Sequence, residues 1–176
     1  LTDTSDYGNG RALVSPQNII AAELSPSSHA FETMPSNERF HSLTSHELVH
    51  IATLDAWNQD DARWRRFFGG KPRETDEHPV TIVYNYLSTP RNSTPRWYTE
   101  GSAVYMETWL SGGIGRAQGG YDEMVFRAMV RDDAHFYSAL GLVSAGTAAD
   151  FNTMANAYLY GTRFISYVSL EYSPEK

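Results

Sequence analysis

The 176-residue sequence contains no cysteine. That excludes disulfides, thiolate metal ligands and a cysteine nucleophile together. It leaves the compartment open, because a cysteine-free chain is indifferent to redox conditions. Basic charge is scarce: 14 Lys and Arg stand against 21 Asp and Glu, a net charge of -7. A nucleic-acid partner would need a basic footprint, so none is expected. Long apolar runs are missing as well. None approaches the about 20 residues that cross a bilayer, and we expect no membrane span in this chain. No repeat or low-complexity tract stands out.

What is present is ordinary globular composition, 41% hydrophobic and 20% charged, enough for one domain with a real core. The chain opens on Leu1 and stops at Lys176 without a closing signal, so we read it as an excerpt of a longer protein with further domains. We expect a single domain over 1–176, with a strand-and-loop region at 1–35 and a helical region at 36–176.

Arg11–Val14 and Ile19–Leu24 read as short strands, the second closed by Ser25-Pro26. Pro35-Ser36-Asn37 offers an N-cap for a helix over about 37–55, in which Phe40, Leu43, Leu48, Ile51 and Leu54 recur at helical steps. A short helix at 60–68 stops at Gly69-Gly70. Residues 80–87 are rich in β-formers, yet Ile82, Tyr86 and Leu87 share a helix face, and a helix is favoured. Thr94-Pro95 suits the cap and first turn of a helix over 95–110, ended by Gly112-Gly113. A helix at 121–131 follows, then a connection over 132–147. Thr147 to Asp150 resembles a capping box for a last helix from Ala149 or Asn152 to Leu170. The fold class is therefore α+β and mainly α-helical, with a small N-terminal sheet.

The chemistry concentrates in His46-Glu47-Leu48-Val49-His50. Residues four apart share a helix face, so the two imidazoles can bind one metal ion. Glu47 stands beside them, where it can act as general base on a water. Neutral imidazole suits Zn²⁺, and a catalytic zinc keeps three protein ligands and one open position. The metzincin pattern would place Gly at 53 and His at 56, but Thr53 and Ala56 stand there. Glu74, Glu77 and His78 lie in a Pro-flanked polar loop, a poor place to hold a ligand rigidly. Glu100, on the helix opened by Pro95, is the better third ligand. Ligating histidines usually donate their second N–H to a carboxylate. Glu107, seven residues after Glu100 on the same face, is the first candidate for that role and Asp55 the second.

His46 to His50 followed by Trp97-Tyr98-Thr99-Glu100-Gly101-Ser102-Ala103 resembles the gluzincins, the thermolysin-like zinc peptidases, and within them the aminopeptidase N and leukotriene hydrolase branch. The resemblance runs over about 36–170. It implies a thermolysin-like catalytic domain, incomplete in its sheet, with one zinc held by His46, His50 and Glu100. The 49 residues between His50 and Glu100 are a longer gap than in the family's better-known members. Tyr158-Leu159-Tyr160-Gly161 is similar to that branch's Tyr-x-x-Gly segment, whose Tyr stabilises the oxyanion. That points to Tyr158, with Tyr160 as rival.

The resemblance implies peptide-bond hydrolysis of a peptide or protein substrate lying along an edge strand, for which Ile19–Leu24 is the candidate. The branch carries Gly-Ala-Met-Glu-Asn there, its Glu capturing the substrate amine. Here Glu23 is acidic but the motif is absent, which favours an endopeptidase. The resemblance also favours an extracytoplasmic home. Rival readings are an inactive gluzincin-like module that binds peptide or protein, and another hydrolase using the same zinc. A di-iron carboxylate protein would need its second Glu-x-x-His on a different helix, whereas Glu38 to His41 shares the first helix, and we set it aside.

Overall fold

The structure, a computed structural model, describes residues 10–23, 38–88, 94–143 and 156–173. Within them lie two strands and seven α-helices: β1 (Gly10–Leu13), β2 (Ile19–Ala22), α1 (Arg39–Leu54), α2 (Gln59–Phe67), α3 (Val80–Leu87), α4 (Arg96–Leu110), α5 (Gly120–Arg131), α6 (Ala139–Val143) and α7 (Asn156–Glu171). One 3-10 turn, Arg116–Gln118, links α4 to α5. The chain is mainly helical, with a two-stranded antiparallel sheet in which Ala12 faces Ile20.

Side-chain chemistry sets several boundaries. At the start of α1 the Glu38 carboxylate accepts from the backbone N–H groups of Phe40 and His41, neutralising donors that have no helical partner. The cap expected at 35–37 lies outside the described residues, as do Leu24 and the expected capping box at 147–150. In α2, Asn58 and Asp61 form a reciprocal capping box. Asp60 and Asp61 fill its first turn and Arg65 and Arg66 its last, matching the helix dipole. The start of α4 is displaced by one residue from expectation. Pro95 is itself the cap residue, with ψ 139°, and no side chain caps the helix. Gly112 and Gly113 take positive φ, 71° and 85°, and turn the chain out of α4. The connection expected over 132–147 contains α6. Five residues are too few to show a helical period, and burial of Leu142 is what holds it in place.

The core gathers Val125, Leu142, Leu159 and Tyr160, with Trp97, Phe126, Met129, Tyr137 and Phe164 packed against them. It therefore lies where α4, α5, α6 and α7 meet. Where α4 meets α7 the contact is polar in backbone and bare in side chain. A Cβ on Gly101 would stand 2.2 Å from the carbonyl carbon of Gly161, and one on Gly161 would stand 2.0 Å from the Trp97 carbonyl oxygen. The helices α4 and α7 thus cross backbone against backbone, which no residue larger than Gly permits.

A polar clamp joins the sheet to the segment after α1. Asp55, the C-terminal cap residue of α1, pairs with Arg65 at 2.7 Å and Lys71 at 3.0 Å, and accepts from Asn18 at 2.8 Å. Ser15 adds a hydrogen bond to the Lys71 carbonyl at 2.8 Å. Partial burial would raise the Asp55 pKa, but Asn18, Lys71 and Arg65 more than offset it and hold the carboxyl below its usual range. No described helix is long and apolar enough to cross a membrane.

Candidate metal centre

The helix α1 brings His46, Glu47 and His50 to its inner side, with His46 5% and Glu47 4% exposed. Leu48, between them in sequence, faces outward and is exposed. Across from them α4 presents Glu100 and Glu107, two turns apart on one face. Three atoms converge. His46 Nε2 lies 3.1 Å from His50 Nε2, and each lies 3.2 Å from Glu100 Oε2. Ligands of a small divalent ion held tetrahedrally at about 2.0–2.1 Å stand about 3.3 Å apart, close to this triangle. Among the described residues, these three side chains form a group that could hold a metal ion.

The electrostatics ask for positive charge at the same point. Burial opposes protonation of His46, yet Glu100 and Glu107, on opposite edges of its ring, raise its pKa. Burial alone would raise Glu100. Hydrogen bonds and charge from His46 and His50 overcome that and hold it far below the usual carboxylate range. The ionised Glu107 carboxylate can only accept, so Nδ1 of His46, which faces it, carries a proton. It donates to Glu107 Oε2 at 2.7 Å. Arg116 Nη2 is also 3.2 Å from that nitrogen, but two donors cannot bond each other. Both instead serve the Glu107 carboxylate, which Arg116 grips with Nε to Oε1 and Nη2 to Oε2, each at 2.9 Å. Arg116 also keeps Glu107 ionised despite burial, with His46 assisting.

This chain of contacts fixes the tautomer and ring plane of His46. Glu107→Gln would remove a charged acceptor from a side chain that is 3% exposed and leave Arg116 without its partner. The expected result is about 10–100-fold weaker metal binding with α-helical content retained, read by competition with a chelating dye. Unchanged affinity would mean that Glu107 is structural.

Glu47 faces the sheet as well as the histidines. Its carboxylate accepts from the Ala12 backbone N–H, and a Cβ on Gly10 would stand 2.8 Å from its Oε1. Of the two strands, β1 is therefore the one seated against Glu47, with the Ala12 N–H on its carboxylate. Burial pushes the Glu47 pKa up, partly countered by His46 and His50.

Tyr158 of α7 closes the other side. Its ring stacks on His46 at 6.2 Å between centroids, and its hydroxyl lies 3.5 Å from Arg96 Nη2. The Arg116 guanidinium sits 5.1 Å from the same ring. Burial and then the charge of Glu100 push its pKa up, so the hydroxyl remains a donor.

Three expected residues lie elsewhere. Tyr160 is turned into the core, 5.2 Å from Phe126 between ring centroids, with its hydroxyl 3.4 Å from the Tyr137 backbone nitrogen. Helix positions two apart point about 200° apart, so Tyr158 and Tyr160 cannot both face His46. Asp55 belongs to the clamp described above and touches neither histidine. It sits five residues beyond His50, at the far end of α1. Glu23 follows β2 and is half-buried, outside the group gathered around His46.

Arg96 and Arg116 were not foreseen. Arg96 carries a readable signal, its i,i+4 spacing to Glu100. Arg116 carries none, because the Gly112-Gly113 reversal brings it back to Glu107. Comparison with models of known families, with curated proteins and with solved structures finds no match.

Proposed function

We propose that this chain is a zinc-dependent peptide hydrolase of the gluzincin type, with a thermolysin-like arrangement of α1 and α4. The observation that carries this is the triangle of His46 Nε2, His50 Nε2 and Glu100 Oε2, with Glu47 beside it and Tyr158 facing it. Two imidazoles and one carboxylate suit zinc and leave a fourth position for substrate or water. Bound there, zinc supplies a Lewis acid and a water of lowered pKa.

The remaining work falls to the chain. Glu47 takes a proton from the attacking water and returns it to the leaving amine. Tyr158 donates its hydroxyl to the carbonyl oxygen as negative charge develops there. Glu107 and Arg116 keep His46 in one tautomer throughout. The edge of β1 beside Glu47 is the candidate strand for the substrate backbone, by strand addition. Without the amine-capturing motif at Glu23, an endopeptidase is favoured over an aminopeptidase. Cleavage of N-acetylated peptides as fast as free ones supports that choice, and strict need for a free amine reverses it.

Metal content is the test of the site. Elemental mass spectrometry of the purified chain is expected to give about one zinc per chain, lost in His46→Ala. No zinc after incubation with excess metal would sink the proposal. Zinc without cleavage of any peptide pool would leave a gluzincin-like module that binds peptide or protein.

A further inference from the structure

One cation near the proposed centre is not used by that chemistry. Arg96 begins α4, one turn before Glu100, and its side chain is 57% exposed against 19% for Arg116. Its Nε lies 3.4 Å from Glu100 Oε1 and its Nη2 lies 3.5 Å from the Tyr158 hydroxyl. Both distances are at the long limit of a hydrogen bond, and a guanidinium has five N–H donors. Its guanidinium carbon also lies 5.6 Å from the Tyr158 ring centroid, but neither of its hydrogen bonds is tight and most of its donors stay unused.

Its other possible duties are already filled. Arg116 packs closer on the Tyr158 ring, at 5.1 Å against 5.6 Å for Arg96, and pairs with Glu107, so the contact of Arg96 with that ring duplicates one already made. Glu100 is the counterion of Arg96, but a carboxylate that ligates a divalent ion has little charge left to offer. In a chain of net charge -7, this leaves an exposed, under-neutralised guanidinium at the rim of the site. It stands beside the hydroxyl that would meet the reacting carbonyl.

Building on the hydrolase reading, we propose that Arg96 is a specificity-determining residue that recognises a carboxylate next to the scissile bond, so that the site takes acidic peptides. An Asp or Glu side chain presents the planar pair of oxygens that a guanidinium grips with two hydrogen bonds.

Two labelled peptide pools, identical except that Asp and Glu in one are Asn and Gln in the other, test this on the zinc-loaded protein. The wild type is expected to cleave the acidic pool about tenfold faster at sub-saturating concentration, chiefly through KM. The partial exposure of Arg96 limits the ratio to that order. Arg96→Gln brings the ratio to about one, Arg96→Glu inverts it, and both variants keep their zinc. Added salt shrinks the wild-type preference. A wild-type ratio of one overturns the proposal, as does an equal loss on both pools in Arg96→Gln. If neither pool is cleaved, the hydrolase reading fails, and binding then decides the proposal separately. Fluorescence anisotropy of the same pools on zinc-loaded Glu47→Gln should show the acidic preference, and adding Arg96→Gln should abolish it. Equal binding of both pools overturns it.

Discussion

Glu47→Gln is expected to lower peptide turnover by roughly 10²–10⁴-fold while zinc stays at about one per chain. The substitution keeps shape and an oxygen that can still accept from the Ala12 N–H. What it removes is the ability to take up a proton. No described acid other than Glu47 is placed to substitute. Glu100 is committed to the two histidines and Glu107 to His46 and Arg116. The two readouts must be taken together. Lost turnover with retained zinc assigns the proton transfer to Glu47, whereas near wild-type turnover removes it from the mechanism. Lost zinc would instead mean that the carboxylate supports the fold of the site.

Gly161→Ala should destabilise the protein by about 3 kcal/mol or more, at or beyond the upper end for overpacked positions. The reason is geometric. The added carbon would stand 2.0 Å from the Trp97 carbonyl oxygen, and the neighbours there are backbone rather than a side chain that could swing away. The helices α4 and α7 must separate, and they carry Glu100 and Tyr158. Gly120→Ala is the control, since a Cβ there meets nothing within 4 Å. It should change stability by no more than about 0.5 kcal/mol. Urea unfolding of both variants measures the difference. Equal midpoints would show that α4 and α7 do not cross as described.

Much of this architecture was legible in the sequence, and the reasons differ by element. Helices α1, α2, α4 and α5 declared themselves through periodicity and through punctuation by Pro95, Gly69-Gly70 and Gly112-Gly113. The β-rich run at 80–87 was resolved by its helix face. At the site, i,i+4 spacing placed His46 with His50, and i,i+7 spacing placed Glu107 with Glu100. Spacing of this kind is local and can be read. Asp55 was misplaced because a carboxylate near a motif looks like a partner until its own counterions, Arg65 and Lys71, are seen. Tyr158 and Tyr160 could not be separated on composition, because the choice depends on which face of α7 the core covers. Arg116 was out of reach altogether, since its meeting with Glu107 depends on a turn and not on a period.

The hairpin of β1 and β2 has a consequence for how this protein fails. His46, His50, Glu100, Glu107 and Tyr158 all stand on three helices, two of them locked at a glycine crossing. The strand that seats Glu47 belongs to a two-stranded ribbon, marginal by itself and moored by Asn18 to Asp55 and by Ser15 to the Lys71 carbonyl. On the proposed reading, metal retention and turnover would therefore reside in different cooperative units. Amide exchange would be fast in the ribbon and slow in the helices. Mild denaturant would first yield a population that keeps its ion and has lost its catalysis.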